Sequence, residues 1–164
     1  MRVSSPRRSA PSAQLRLRSG TAQLVWPATG GAVVMVLLVE PSGMREAARV
    51  SRSLPGILSL IAICRDGREL EDGADSIEWI ADHAAQLGAD GRRLILAGLD
   101  GAAAVAAALT IRARDRGWPV VEHLLLIRPR PGVAERQLAG IPVTTADDGA
   151  QAVDGLCRAL RLAG

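Results

Sequence analysis

Residues 93–117 read RLILAGLDGAAAVAAALTIRARDRG, and this stretch decides the fold. Leu94–Ala97 is a short apolar run that predicts a strand, and Ala102–Arg114 is an alanine-rich run that predicts a helix. The glycine-bracketed turn Gly98–Gly101 separates them and holds Asp100 at its tip. In α/β proteins, ligands gather where parallel strands end and helices begin, because helix N-termini present free N–H groups there. Asp100 is therefore the first candidate for a functional residue.

The alternation of strand and helix continues along the whole chain. Aliphatic and β-branched runs predict further strands, and segments with helical spacing predict the helices between them. The predicted strands are Thr21–Trp26 as an edge strand, Ala32–Val39, Ile57–Cys64, Val120–Ile127 and Pro142–Ala146, and the predicted helices are Met44–Leu54, Asp75–Leu87, a turn or two in Val133–Leu138, and Gln151–Leu162. Strands joined by such helices run parallel through right-handed crossovers. The pattern predicts an α/β fold, a three-layer sandwich with a mostly parallel sheet.

Length, composition and charge predict one domain with a basic leader. The chain has 164 residues, of which 48% are hydrophobic, and this suffices for a single packed core. The net charge of +3 arises in the first twenty residues, which contain five arginines and no acid. We expect residues 1–20 to form a disordered basic leader and residues 21–164 to form the domain. Because the basic charge lies in a tail and aromatic residues are few, we expect no nucleic-acid partner.

The sequence offers no signal for a membrane span, a metal or a cofactor. No apolar run reaches the roughly 18–20 residues of a transmembrane helix, and no signal-peptide core follows Met1, so a cytoplasmic protein without a membrane partner is predicted. Cys64 and Cys157 lack the CxxC spacing of zinc sites and do not suggest a disulfide framework. The acidic stretch from Asp66 to Asp75 lacks EF-hand spacing, so we expect a solvated loop there.

Three blocks of the chain resemble the α/β-hydrolase fold, and within it the esterase and lipase branch related to hormone-sensitive lipase. Ser76–Pro129 is similar to the family's segment around its G-D-S-A-G nucleophile elbow. Ala32–Gly43, which reads AVVMVLLVEPSG, resembles the strand that leads into the family's H-G-G-G oxyanion loop. The segment from Ile141 onward resembles the family's late strand, acid-bearing turn and helix. The family's catalytic histidine lies beyond one further strand, and this chain ends at Gly164, so the resemblance implies a truncated α/β-hydrolase fold.

The resemblance assigns positions for a catalytic site. They are Asp100 at the nucleophile position, Ser42, Gly43 and Gly101 at the oxyanion-loop positions, and Asp147 or Asp148 at the acid position. A serine esterase needs a hydroxyl that a histidine deprotonates, and Asp100 has none. Pro41 has no N–H to donate, and Glu40 and Asp100 bring negative charge to a place where the reaction develops it on oxygen. Neither His83, in a predicted helix, nor His123, in a predicted strand, replaces the missing histidine.

Asp100 has two interpretations. As the N-cap of the following helix, its carboxylate accepts a hydrogen bond from the N–H of Ala102 or Ala103. As a nucleophile, it resembles the aspartate of haloalkane dehalogenases and epoxide hydrolases, which also need a histidine to activate water. The acid position is likewise typical of a turn and helix start, because it reads Asp147-Asp148-Gly149.

The leading hypothesis is a catalytically inactive, esterase-like protein that binds a small apolar or ester-like ligand, or another protein. The alternatives are a weak or unusual carboxylic-ester hydrolase that uses Asp100, and a small nucleotide-binding α/β module, although the full G-x-G-x-x-G spacing is absent. A homodimer is a further expectation, because Pro142–Ala146 would form an edge strand that another copy can pair with. Trp79 and Trp118 are expected to anchor the core.

Overall fold

The structure, a computed structural model, describes residues 11–27, 33–132 and 138–161. The strands are β1 (Ser12–Leu17), β2 (Gly20–Val25), β3 (Val33–Val39), β4 (Ile57–Ile63), β5 (Asp90–Leu99), β6 (Val121–Ile127) and β7 (Val143–Ala146). The helices are α1 (Met44–Ser53), α2 (Glu69–His83), α3 (Ala102–Arg116) and α4 (Gly149–Leu160), with short 3-10 turns at Pro41–Gly43 and Ala85–Leu87. Of the predicted turn in Val133–Leu138, residues 133–137 lie outside the described part of the chain.

Across the described residues, the strands form one sheet in the order β1, β2, β4, β3, β5, β6, β7. The five strands from β3 to β7 pair in parallel, whereas β1 and β2 form a hairpin that joins β4 antiparallel. Parallel strands need crossover connections, and α1, α2 and α3 supply them. The predicted α/β class and mostly parallel sheet are confirmed.

Helices cover both faces of the sheet. Val34, Val36 and Leu38 of β3 belong to the apolar cluster that contains residues of α2 and α3. Met35 and Leu37 alternate with them and belong to the cluster that contains residues of α1 and α4. Every residue of β3 is buried, because a strand in the middle of a parallel sheet has no face toward water. The three-layer sandwich is therefore confirmed, and the carboxyl ends of β3, β5, β6 and β7 meet at one edge.

The expected disordered leader is wrong for residues 12–20. Ser12–Leu17 forms strand β1, whose side chains alternate between exposed and partly buried positions, and Leu15 and Leu17 pack against the core. The basic composition concealed this alternation, because Arg16 and Arg18 fall on or beside the strand and raise its charge without removing its apolar face. As a consequence β2 is not an edge strand, since it lies between β1 and β4.

The expected solvated acidic loop is wrong as well, because α2 begins at Glu69 rather than at Asp75. Acidic side chains in a first helical turn interact favourably with the helix dipole, and Glu69, Glu71 and Asp72 lie in that turn. Asp72 is 1% exposed, and its carboxylate accepts hydrogen bonds from the backbone N–H and the guanidinium of Arg65. The segment from Glu69 onward is therefore the first turn of α2, and the carboxylate of Asp72 within it is buried and hydrogen-bonded to Arg65.

Candidate functional site

The turn after β5 has the geometry of a nucleophile elbow. β5 ends immediately before Asp100, and α3 begins two residues later. Asp100 has a φ of +54°, a left-handed conformation that is uncommon outside glycine and that occurs at strained functional turns. Its N–H donates to the carbonyl oxygen of Ile127 at 2.9 Å, and its carbonyl oxygen accepts from the N–H of Ala103 at 3.1 Å. The predicted strand, turn and helix are confirmed, and the tip of the turn is held from both sides.

The carboxylate of Asp100 does not cap α3. The N-cap residue of α3 is Gly101, and no side chain caps this end of the helix. The two carboxylate oxygens of Asp100 instead accept from Nε and Nη2 of Arg128, at 2.8 and 3.0 Å. The capping interpretation is therefore wrong, because the planar fork of a guanidinium matches both carboxylate oxygens at once, whereas a cap uses one.

Arg128 connects the elbow to α1. The Nη1 and Nη2 atoms of Arg128 donate to the two carboxylate oxygens of Glu46, at 2.9 and 2.7 Å. Hydrogen bonding to Arg128 holds the pKa of Glu46 below its usual value, and the two carboxylates together raise the pKa of Arg128. Arg128 also has a positive φ, of +48°, directly after β6. One guanidinium therefore binds two carboxylates and links three neighbouring segments at this edge of the sheet.

Glu46 and Arg128 were not among the residues expected from the sequence. Arg128 directly follows a predicted strand, as Asp100 does, and residues that follow neighbouring parallel strands lie at the same edge of the sheet. The register places Leu99 beside Ile127, and this brings Asp100 beside Arg128. The positions of Asp100 and Arg128 directly after two strands are visible in the sequence. Their proximity follows only when β5 and β6 are known to be neighbours in the sheet.

A carboxylate lies among the residues that were expected at the oxyanion-loop positions. Ser42 is exposed in the 3-10 turn after β3, and Gly43 is buried, with its N–H donating to the carbonyl oxygen of Glu40 at 2.9 Å. Oε1 of Glu40 lies so close to Gly101 that a Cβ atom added there would clash with it. A guanidinium nitrogen of Arg130 lies 4.0 Å from the same oxygen. Gly101 therefore lies in the elbow turn, and the carboxylate of Glu40 lies against it.

Comparison with known proteins identifies the family. Residues 67–156, more than half of the chain, match a family model described as the alpha/beta hydrolase fold. The chain belongs to the α/β-hydrolase fold family. Esterase LipI of Mycobacterium tuberculosis is 38% identical over 60 residues, which are 37% of this chain and 19% of LipI. The predicted resemblance to the esterase and lipase branch is confirmed.

Solved esterase structures share the fold of this α/β-hydrolase. A thermostable esterase from Pseudomonas putida superposes with a TM-score of 0.62 at 17% identity, over 93% of this chain and 68% of that one. EstE1, a carboxylesterase cloned from a metagenomic library, superposes with a TM-score of 0.58 at 24% identity, over 77% of this chain and 49% of that one. The chain therefore spans about half to two thirds of the length of these esterases.

The residues that were expected at the acid position begin a helix. Asp148 is the N-cap of α4, and its carboxylate accepts from the N–H of Gln151 at 2.8 Å. The side-chain oxygen of Gln151 accepts in return from the N–H of Asp147 at 3.1 Å. This reciprocal arrangement stabilises the first turn of α4, and both aspartates are exposed. The interpretation of these residues as a turn and helix start is confirmed, and no hydrogen bond joins either aspartate to a histidine in the described residues.

Neither histidine of the chain contacts the elbow. Nδ1 of His83 lies 2.7 Å from the carbonyl oxygen of Trp79, and the two rings stack with centroids 4.4 Å apart. Nε2 of His123 lies 2.7 Å from the hydroxyl of Thr144, on the neighbouring strand β7. His123 is 5% exposed, and burial lowers the pKa of its imidazole below the ordinary value, although Glu122 opposes this shift. His123 therefore acts as a buried structural group.

The burial of His123 predicts a specific loss of stability in mild acid. In the unfolded chain its imidazole takes up a proton at its ordinary pKa of 6.5, whereas in the folded protein it remains neutral to lower pH. The free energy of unfolding should therefore fall as the pH decreases below 6.5, by at most about 1.4 kcal/mol per pH unit from this residue. Urea denaturation between about pH 7.5 and 5 measures the slope.

The variant His123→Gln separates this contribution from all others. Its slope between about pH 7 and 5 should be shallower than that of the wild type, whatever the loss of the imidazole does to the stability at neutral pH. Parallel slopes for His123→Gln and the wild type would contradict the assignment.

In residues 11–27, 33–132 and 138–161, no group of three or more His, Cys, Asp or Glu side chains is placed to hold a metal ion. Within those ranges no helix is both long enough and apolar enough to cross a membrane.

Proposed function

We propose that this chain is a catalytically inactive, esterase-like α/β-hydrolase domain whose remaining role is binding. The observation that carries the proposal is the bidentate ion pair between Asp100 and Arg128 at the tip of the elbow. Asp100 lies at a tight turn with a positive φ, and its side chain is engaged in an ion-pair network.

The ion pair opposes nucleophilic attack by Asp100. A carboxylate attacks through an oxygen lone pair, and both oxygens of Asp100 already accept short hydrogen bonds from a cationic donor. Attack would transfer the negative charge of Asp100 away from Arg128, so the ion pair stabilises the ground state more than the transition state. Arg128 is held in place by Glu46, which fixes its guanidinium from the other side.

The charges around the elbow also oppose stabilisation of an oxyanion. Glu40, Glu46 and Asp100 bring three carboxylates, while Arg128 and Arg130 bring two guanidinium groups, so the cluster keeps one negative charge. An oxyanion hole needs unpaired donors aimed at the developing charge. The carboxylate of Glu40 lies against Gly101, where such a charge would form, and it repels both an oxyanion and a bound phosphate. The same charges disfavour the nucleotide-binding alternative.

Hydrolysis assays test the proposal. Purified protein with p-nitrophenyl acetate, p-nitrophenyl butyrate and a haloalkane is expected to show no turnover above the buffer rate. Asp100→Ser, which restores the hydroxyl at the elbow, is also expected to be inactive, because no histidine of the described residues contacts the elbow and Glu40 still opposes the oxyanion.

The competing function is a hydrolase that uses Asp100 as its nucleophile, and the positive φ of Asp100 favours it. Turnover that disappears in Asp100→Asn but persists in Asp115→Asn, a change at an exposed aspartate about 20 Å along α3 from the elbow, would establish that function and overturn the proposal. A covalent ester adduct on the peptide that contains Asp100, detected by mass spectrometry after incubation with substrate, would do the same.

A further inference from the structure

A surface cavity of about 170 Å³ opens between α2 and the second half of α3, and its floor is made of Ala74, Ile77, Leu109 and Ala113. These lining residues of α3 lie about 10 to 20 Å along the helix from the elbow, at 1.5 Å per residue. None of them takes part in the ion-pair network around Arg128.

Trp118 forms one wall of this cavity, together with Pro119. The expectation that Trp118 anchors the core is wrong, because its side chain is 52% exposed, directly after the end of α3. Val120 beside it is 63% exposed. An aromatic ring that borders an apolar cavity and faces water supplies contact area for a ligand, with little loss of side-chain freedom on binding.

Two arginines border the same cavity. Arg112 and Arg116 lie one helical turn apart on α3, and both are exposed. Like charges at this spacing destabilise a helix slightly. Within the described residues, neither arginine has an ion pair or a side-chain hydrogen bond, whereas Arg114 between them pairs with Asp115. Arg116 lies in the last turn of α3, where the helix dipole favours a cation, whereas Arg112 lies one turn earlier; a bound anion would offset the repulsion between the two.

Glu78 is the acidic residue in the lining of the cavity, and it lies on α2. A ligand carboxylate is repelled by Glu78 and attracted by the arginines of α3, so the charges of the two helices orient it. A bound carboxylate would then lie toward Arg112 and Arg116, with its apolar body over Leu109 and against Trp118.

We propose that this cavity binds a small monocarboxylate with an apolar body. A cavity of about 150 Å³ accommodates a single benzene ring, so the space here suits one ring or an aliphatic chain of about six carbons. The arginines donate to the carboxylate, and the apolar lining removes the body of the ligand from water. This site is independent of the elbow, because an active hydrolase and an inactive one would both contain it.

Calorimetric titration with hexanoate, hexanol and hexylammonium tests the proposal on the full chain. Hexanoate is expected to bind with a dissociation constant below about 1 mM, hexanol about 10-fold more weakly, and hexylammonium not measurably. The double change Arg112→Gln and Arg116→Gln should weaken hexanoate about 10-fold and leave hexanol unchanged. Glu78→Gln should strengthen hexanoate about 2-fold to 5-fold, because it removes the repulsion.

The location of binding is checked by the indole N–H resonances. The resonance of Trp118, assigned with the variant Trp118→Phe, should move on addition of hexanoate, and that of Trp26 should not. Arg52→Gln, at an exposed arginine on α1 in the opposite helical layer, is the matched control and should bind hexanoate as the wild type does. Equal affinity for hexanol and hexanoate, an unchanged affinity in the double arginine variant, or no movement of the Trp118 resonance up to about 10 mM hexanoate would overturn the proposal.

Discussion

Replacement of Gly98 by alanine is expected to lower the free energy of unfolding by about 3 kcal/mol. A Cβ atom at this position would lie 2.5 Å from the carbonyl oxygen of Ala102 and 2.6 Å from the Cα atom of Ala103. Both atoms belong to the backbone at the start of α3, so no side chain can turn aside. The helix would have to move, but Ala103 is fully buried and hydrogen-bonded to the elbow. Chemical denaturation measures the loss.

Gly117→Ala is the control for the change at Gly98. Gly117 has a φ of +73°, and an added Cβ would meet no atom within 4 Å. This variant should therefore lose only the cost of a left-handed alanine, about 1 kcal/mol. A stability of Gly98→Ala within about 0.5 kcal/mol of the wild type would show that α3 moves freely over β5. The same result would mean that the close approach of the α3 backbone is not the reason for a glycine at position 98.

Replacement of Asp72 by alanine is expected to cost about 2 to 3 kcal/mol of unfolding free energy. The carboxylate accepts three hydrogen bonds from Arg65, at 2.8 Å from the backbone N–H, 3.0 Å from Nε and 2.8 Å from Nη2. Burial raises the pKa of Asp72, but these hydrogen bonds outweigh it and lower the pKa below the ordinary 3.8. The expected cost is below that of a fully buried pair, because the side chain of Arg65 is 47% exposed and regains water.

The pH dependence of the change at Asp72 has a definite sign. A carboxyl group with a lowered folded pKa stabilises the protein above its unfolded pKa of 3.8, and this contribution is lost as the pH falls through the folded pKa. The difference between wild type and Asp72→Ala should therefore be largest near neutral pH and shrink in strong acid. Glu71→Ala, at the exposed neighbouring residue, should stay within about 0.5 kcal/mol of the wild type. Equal losses in both variants would contradict the role of Asp72.

Strands that are buried on both faces were predictable from local sequence. The run Val33–Val39 contains no polar residue, and β3 indeed has no exposed position. Helix α3 was predicted to begin at Ala102 and does so, because glycines mark the turn before it. The start of α2 was not predictable in the same way, because Asp72 is acidic in sequence and its burial depends on Arg65, seven residues earlier.

The hairpin strand β1 shows how composition can conceal a pattern. Leu15 and Leu17 alternate with polar residues, as a half-buried strand requires. The charge of the first twenty residues was the stronger signal and led to the wrong expectation of a leader. Strand β1 is stabilised by pairing with β2, which in turn pairs with β4, so its order depends on residues far along the chain.

At the elbow, the sequence by itself determined the backbone. Gly98, Gly101 and the alanines that follow encode a strand that turns tightly into a helix, because these constraints act between residues a few positions apart. The tertiary structure alone decided what the side chain of Asp100 does. Arg128 lies 28 residues beyond Asp100 and 82 beyond Glu46, so their ion pairs depend on strand order and register. The carboxylate of Asp100, which the local sequence places near the start of α3, is bound instead by a guanidinium directly after the next strand, since a bidentate pair outweighs a single capping bond.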